Sequence, residues 1–136
     1  MRLRLLIAAA VLVSAVVHLK LWFDGFRDID KIGPAFMLNA VAGAVIAVLV
    51  LAWRHWVPLL LAVGFGASTL GAFVISASVG LFGVHELWTG GWVWSAAISE
   101  AVAIVAGALA FFQEYGGQLG ARRRDHVTAG TADRTR

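Results

Sequence analysis

Four long apolar stretches, parted by short polar connections, constrain this chain more than any other feature of it. Crossing the hydrocarbon core of a bilayer takes about 20 apolar residues in a helix. Residues 3–23, 34–53, 57–82 and 92–112 each meet that length. Past Arg4 the first is interrupted only by Ser14 before His18, and the second and third carry Pro34 and Pro58 near their starts. Proline suits the first turn of a helix, where its missing N–H has no intrahelical partner to lose. Only Arg54-His55-Trp56 separates the middle pair, which forces an antiparallel hairpin. The expected fold is an all-α, antiparallel bundle of four transmembrane helices over residues 1–115, with no internal repeat. Residues 116–136, rich in Gly, Arg, Thr and Asp, cannot bury enough apolar surface to fold alone and are expected to form a disordered basic tail.

Composition agrees. In 136 residues, 60% are hydrophobic and 14% charged, against about 25% charged in ordinary soluble domains. Too few polar residues remain to coat a globular core, so lipid must be the solvent. The absence of cysteine excludes disulfides, thiolate metal sites and cysteine nucleophiles. A net charge of +3 could point to nucleic acid, but the basic residues cluster at chain ends and turns, which reads as a topology signal. No nucleic-acid partner is expected. The preference for Ala, Val, Gly and Arg over Lys, Ile and Asn is what a GC-rich bacterial genome would produce.

Orientation follows from the basic residues. Arg2, Arg4, Arg54, Arg122, Arg123, Arg124, Arg134 and Arg136 share one side. Lys20, Arg27 and Lys31 lie on the other, diluted by Asp24, Asp28, Asp30 and Glu86. The Arg-rich side, with both termini, is expected to be cytoplasmic in a bacterial cytoplasmic membrane. Trp22, Trp88, Trp92 and Trp94 at one boundary and Trp53 and Trp56 at the other fit the same frame, because indoles favour the headgroup level. A signal peptide cleaved after Ala15 is the rival reading of the first stretch, but the apolar run continues through Phe23.

Lipid gives helices little reason to associate, so close packing of small residues must supply it. Gly64, Ser68, Ala72, Ser76 and Gly80 recur every four residues on the third helix, flanked by Ala67 and Gly71. Ser95, Ser99, Ala103 and Gly107 do so on the fourth, and Asn39, Gly43 and Ala47 on the second. Each stripe is expected to be a helix–helix seam, within this chain, in a homo-oligomer or in a larger membrane complex.

Polar residues inside the spans carry the functional information. Glu100 stands roughly 12 Å inside the fourth helix at 1.5 Å per residue. A carboxylate there costs about 2.5–3.5 kcal/mol on insertion scales, so it must face the interior, pair or take up a proton. His18, Asn39 and Ser76 fall roughly 7–8 Å below the same boundary on the other three helices. That coincidence predicts a polar, ligand-binding pocket opening outward, floored by Glu100 and rimmed by Lys20, Asp24, His85 and Glu86. The blander alternative is that His18 and Asn39 bond neighbouring helices and Ser76 its own i−4 carbonyl. Imidazole and carboxylate could also hold a metal or haem, with His18 and His85 as candidates, though no HxH or HxxxH spacing is present. No cofactor is firmly implied. His55 and His126 read as a turn and a tail residue. The glycine-rich phosphate loop, G-x-S-x-G and H-E-x-x-H are missing, so an enzyme is not expected.

In length, helix count and short connections, residues 3–112 resemble the small four-helix membrane proteins of bacteria, especially DoxX-like proteins. The resemblance implies the bundle and transfers no site residues. Small multidrug transporters share the size and a lone membrane carboxylate, but theirs lies in the first helix and Glu100 in the fourth. The leading expectation is a non-enzymatic subunit or small-ligand-binding bundle. A proton-coupled carrier using Glu100 is the alternative, and a haem- or metal-binding redox protein using His18 the third reading.

Overall fold

The structure, a computed structural model, describes residues 1–133, with side chains through Gly117. It contains four long helices: α1 (Arg2–Phe23), α2 (Ile32–Ala52), α3 (Trp56–Val79) and α4 (Gly91–Asp133). Each is long and apolar enough to cross a membrane, α4 over Gly91–Gly117. A single 3₁₀ turn, Phe26–Asp28, lies in the first connection. The fold is thus the expected all-α four-helix bundle. The backbone of α4 is helical through Asp133, into the stretch read as a disordered tail. Extending an established helix adds one hydrogen bond per residue fixed, without a new nucleus. Side chains beyond Gly117, and residues 134–136, lie outside the described residues.

Local chemistry sets the helix ends. α3 starts where the His55 side chain caps it, its Nδ1 accepting from the Val57 N–H at 3.3 Å. His55 is therefore an N-cap rather than a plain turn residue. α3 stops at Val79, three residues short of the predicted Phe82. Gly80 takes a φ of 86° and donates its N–H back to the carbonyls of Ile75 and Ser76, the glycine stop that an L side chain resists. Leu81 and Val84 then exchange backbone hydrogen bonds in a tight turn. α2 starts at Ile32, so Pro34 is its third residue and still within the turn whose N–H groups are unpaired. A Cβ on Gly33 would run into the Arg27 carbonyl, which is why the first connection can fold down onto the start of α2.

The helices form a ring in which α1 packs closely on α2 and α4, and α3 closely on α4, while α2 and α3 touch least of the four neighbouring pairs. One half of the bundle, carrying the N-terminus and the α2–α3 turn, is solid. Ile7, Val11, Val50, Leu59, Ala62, Ala103 and Ala110 are buried there. Two predicted seams are found. Gly43 lets α2 approach Ala15 and Phe65, and Gly107 lets α4 approach Val63 and the Leu59 carbonyl.

The predicted α3 seam is not. Gly64 and Gly71 have nothing within 4 Å of a virtual Cβ, and Ala67 and Ser68 are exposed. The α3 contact runs instead through Leu59, Ala62, Val63 and Gly66, where a Cβ would meet the Glu100 carbonyl at 2.7 Å. Gly66 lies two residues from Gly64, about 200° around the helix.

Arg4 closes the solid end. Only 1% exposed, it donates to both carboxylate oxygens of Glu114, the shortest contact being 2.7 Å. It also donates to the carbonyls of Val50, Trp53 and His55 at 3.0–3.1 Å. Those are carbonyls that the end of α2 and the tight turn leave without helical partners. Tyr115 adds a bond to the Arg54 carbonyl at 3.2 Å. One guanidinium thus ties α1 to α2, the turn and α4.

Candidate functional site

The other half of the bundle, beneath the two longer connections, holds a cavity of about 390 Å³. It lies beside the loose α2–α3 side of the ring. Exposed lining residues mark its mouth: Ala35 and Leu38 on α2, Ser68 on α3 and Phe82 in the α3–α4 connection. The chamber therefore opens sideways between α2 and α3, as well as toward the loops. Its lining is mostly apolar; polar side chains stand on α2 and α3 and, facing them, on an α1–α4 wall.

That wall is built on Glu100, 2% exposed and among the lining residues. The α3 backbone presses on it at Gly66, and Ser14 of α1 donates to its Oε1 at 2.9 Å. Among the described residues Glu100 has no cationic partner; the ion pairs are Arg4–Glu114, Lys20–Asp24 and Arg27–Asp28. His18 stands one turn beyond Ser14 and lies 2.9 Å from its carbonyl through Nδ1. A carbonyl only accepts, so Nδ1 carries the hydrogen, and in the neutral imidazole Nε2 is left as an acceptor. Neither His18 Nε2 nor Glu100 Oε2 has a protein hydrogen-bond partner, yet neither is sealed from access, and both residues line the cavity.

Asn39 and Ser76 line it from the opposite side. Asn39 donates through Nδ2 to Thr69 Oγ1 at 2.7 Å, and the Thr69 hydroxyl passes its own hydrogen to the Phe65 carbonyl at 2.8 Å. The amide oxygen is left over: Asn39 Oδ1 is the one sealed side-chain polar atom without a partner among the described residues. Ser76 does not bond its i−4 carbonyl. Its hydroxyl donates to the Val84 carbonyl at 2.8 Å and accepts from the Glu86 N–H at 3.3 Å, holding the α3–α4 connection over the chamber. Of the predicted rim, only Glu86 lines the cavity, and burial raises its pKa above the ordinary carboxylate range. Lys20 is exposed, paired with Asp24 and 4.9 Å from the centre of the Trp92 ring. His85 packs its ring on Gly80, outside the chamber. His18 and His85 thus do not share the cavity, and no group of three ligating side chains converges among the described residues.

Sequence reading passed over Ser14, although it is the residue that meets Glu100. One signal was available: Ser14 and His18 are four residues apart, on one face of a helix.

A ring of four spanning helices with a chamber at one end defines a multi-pass membrane protein. No family model matches the chain, and no curated protein or solved structure does either.

Proposed function

We propose that this protein binds a small, largely apolar molecule in the loop-end chamber and catalyses no reaction of its own. The single observation that supports this most is the chamber itself, about 390 Å³ and lined by Glu100. Small-molecule sites combine a mostly apolar lining with a few fixed polar groups, and their volumes run from about 300 to 1,000 Å³. The lateral mouth suits a molecule that arrives from the bilayer. In this reading the chamber faces outward in a bacterial cytoplasmic membrane and the termini are cytoplasmic, on the strength of the arginine distribution.

The test uses Ala72, half-buried on α3 and lining the cavity. Leucine there adds bulk to the chamber and leaves the Gly66 contact alone. Protein purified from native membranes should carry a small molecule, detected by mass spectrometry, that Ala72→Leu loses while unfolding at the same temperature. Equal retention by both proteins contradicts the proposal.

A second reading, a proton-coupled carrier, draws on one specific observation: Glu100 meets the cavity without a cation beside it. It expects Glu100→Gln to fold normally and to lose uptake in proteoliposomes, or to lose its dependence on pH. Wild-type uptake by Glu100→Gln at every pH removes this reading.

A further inference from the structure

The donor and acceptor inventory of the chamber is one-sided. Asn39 Oδ1 is an acceptor with no partner but is sealed from access, and Nδ2 gives one of its two hydrogens to the Thr69 hydroxyl, which spends its own on Phe65. His18 Nε2 is an acceptor because Nδ1 faces the Ser14 carbonyl. Glu100 has taken one hydrogen, from Ser14, and keeps Oε2. The hydroxyls that could donate inward are occupied: Ser68 gives its hydrogen to Phe65, Thr69 does the same, and Ser76 gives its own to Val84.

Charge is one-sided as well. Two carboxyl groups, Glu100 and Glu86, line the chamber, and no Lys or Arg does. Lys31, outside the lining, sits over the Phe82 ring, 5.3 Å from its centre. The remaining lining is rich in aromatic side chains, with Phe26, Phe36, Phe65 and Phe73 among them. Such rings attract a cation through their quadrupole, most strongly where water is scarce.

From these observations we infer that the chamber recognises a small apolar amine, bound as its ammonium with the nitrogen at the Glu100 and His18 wall and the hydrocarbon against the phenylalanines. This rests on the ligand-binding reading above and names the class of ligand. An ammonium carries donors and no acceptor, which complements Glu100 Oε2 and His18 Nε2, the accessible acceptors without a protein partner. It also supplies the positive charge that Glu100 lacks. A carboxylate of the same shape would set like charges together in a low-dielectric chamber.

Three probes of one shape separate the possibilities: 2-phenylethylamine, 2-phenylethanol and 3-phenylpropanoate, measured by equilibrium dialysis. The full chain is held in phosphatidylcholine nanodiscs near neutral pH, with empty nanodiscs as the blank. The amine should bind at least about tenfold more tightly than the carboxylate, a difference of about 1.4 kcal/mol, with the alcohol between them. Glu100→Gln keeps an oxygen for Ser14 and should lower amine affinity about tenfold while changing alcohol affinity less than about twofold. Equal binding of amine and alcohol, both blocked by Ala72→Leu, overturns the amine assignment and leaves the ligand-binding reading standing. A preference for the carboxylate overturns the assignment too. Binding of none of the three overturns both. If Glu100→Gln unfolds, the wild-type order of the three probes decides alone.

Discussion

Three side chains show how differently a polar group inside a membrane can be accommodated. Arg4 is fully paired, Glu100 is half-satisfied by Ser14, and Asn39 keeps one oxygen idle. Buried polar groups are costly unless bonded, and breaking one side of a buried pair costs more than the pair contributes. Arg4→Met should therefore destabilise the protein by roughly 3 kcal/mol, because three carbonyls lose their donor together, while the partly exposed Glu114 can turn to water. Arg4→Lys should recover only part of this, since a point charge cannot serve four acceptors in a fork. Unfolding in detergent measures both, and a neutral Arg4→Met contradicts the assignment of Arg4 as a structural tie. Reading the sequence, Arg4 was one more cytoplasmic charge. Its distance from Glu114, 110 residues along the chain, hid the pairing. Glu100 was legible because lipid leaves a carboxylate few places to go. Ser14 was not, because a serine in a spanning helix costs little and needs no explanation.

At the scale of helices, the phase of α3 marks where pattern reading stops. Small residues lie on most of its sides, so a four-residue register can be drawn along Gly64 as readily as along Gly66. Only the position of α4 distinguishes them. Gly66→Val should destabilise the bundle by about 1–3 kcal/mol, as expected when bulk is forced into a packed contact. Gly64→Ala should leave stability unchanged or slightly raised, as alanine is the better helix former. Thermal unfolding of the two variants checks the phase, and a reversed order refutes it. Four spans and two of three seams were readable, since length and hydropathy are properties of the chain alone. Helix phase, the His55 cap and the early stop at Gly80 depend on neighbours or on backbone angles.

The α3–α4 connection offers a pH-dependent prediction. Glu86 is partly buried at the chamber, which favours its protonated form in the folded state. A carboxyl whose folded pKa is raised contributes stability below its unfolded pKa and loses it as pH rises through the folded value. Protection of the segment 81–90 in hydrogen exchange, corrected for intrinsic rates, should fall as pH rises from the ordinary carboxylate range. Glu86→Gln should flatten that dependence. Ser76→Ala should lower protection at every pH, by about 1–2 kcal/mol, because it removes the hydroxyl bonded to Val84 and Glu86. A profile identical in wild type and Glu86→Gln contradicts the role given to burial.

The molecule as a whole divides into a packed half and a hollow half. Arg4 and the alanine-rich core close the first, while the loose α2–α3 side and the loop held by Ser76 enclose the second. This division gives the fold a direction, and the proposed topology sets that direction in the membrane. Cysteines placed at Asp28 and Glu86 should be labelled from outside intact cells, and one at Arg54 only after permeabilisation. Labelling of Asp28 and Arg54 from the same side contradicts a four-span bundle. Whether the hollow half is a ligand site is decided by an experimental structure of the protein in lipid nanodiscs, prepared from native membranes without detergent stripping. Density for a small molecule is expected in the chamber, within hydrogen-bonding distance of Glu100 or His18. A chamber closed by its own phenylalanines, or a Glu100 side chain turned toward lipid, would contradict the ligand-site reading.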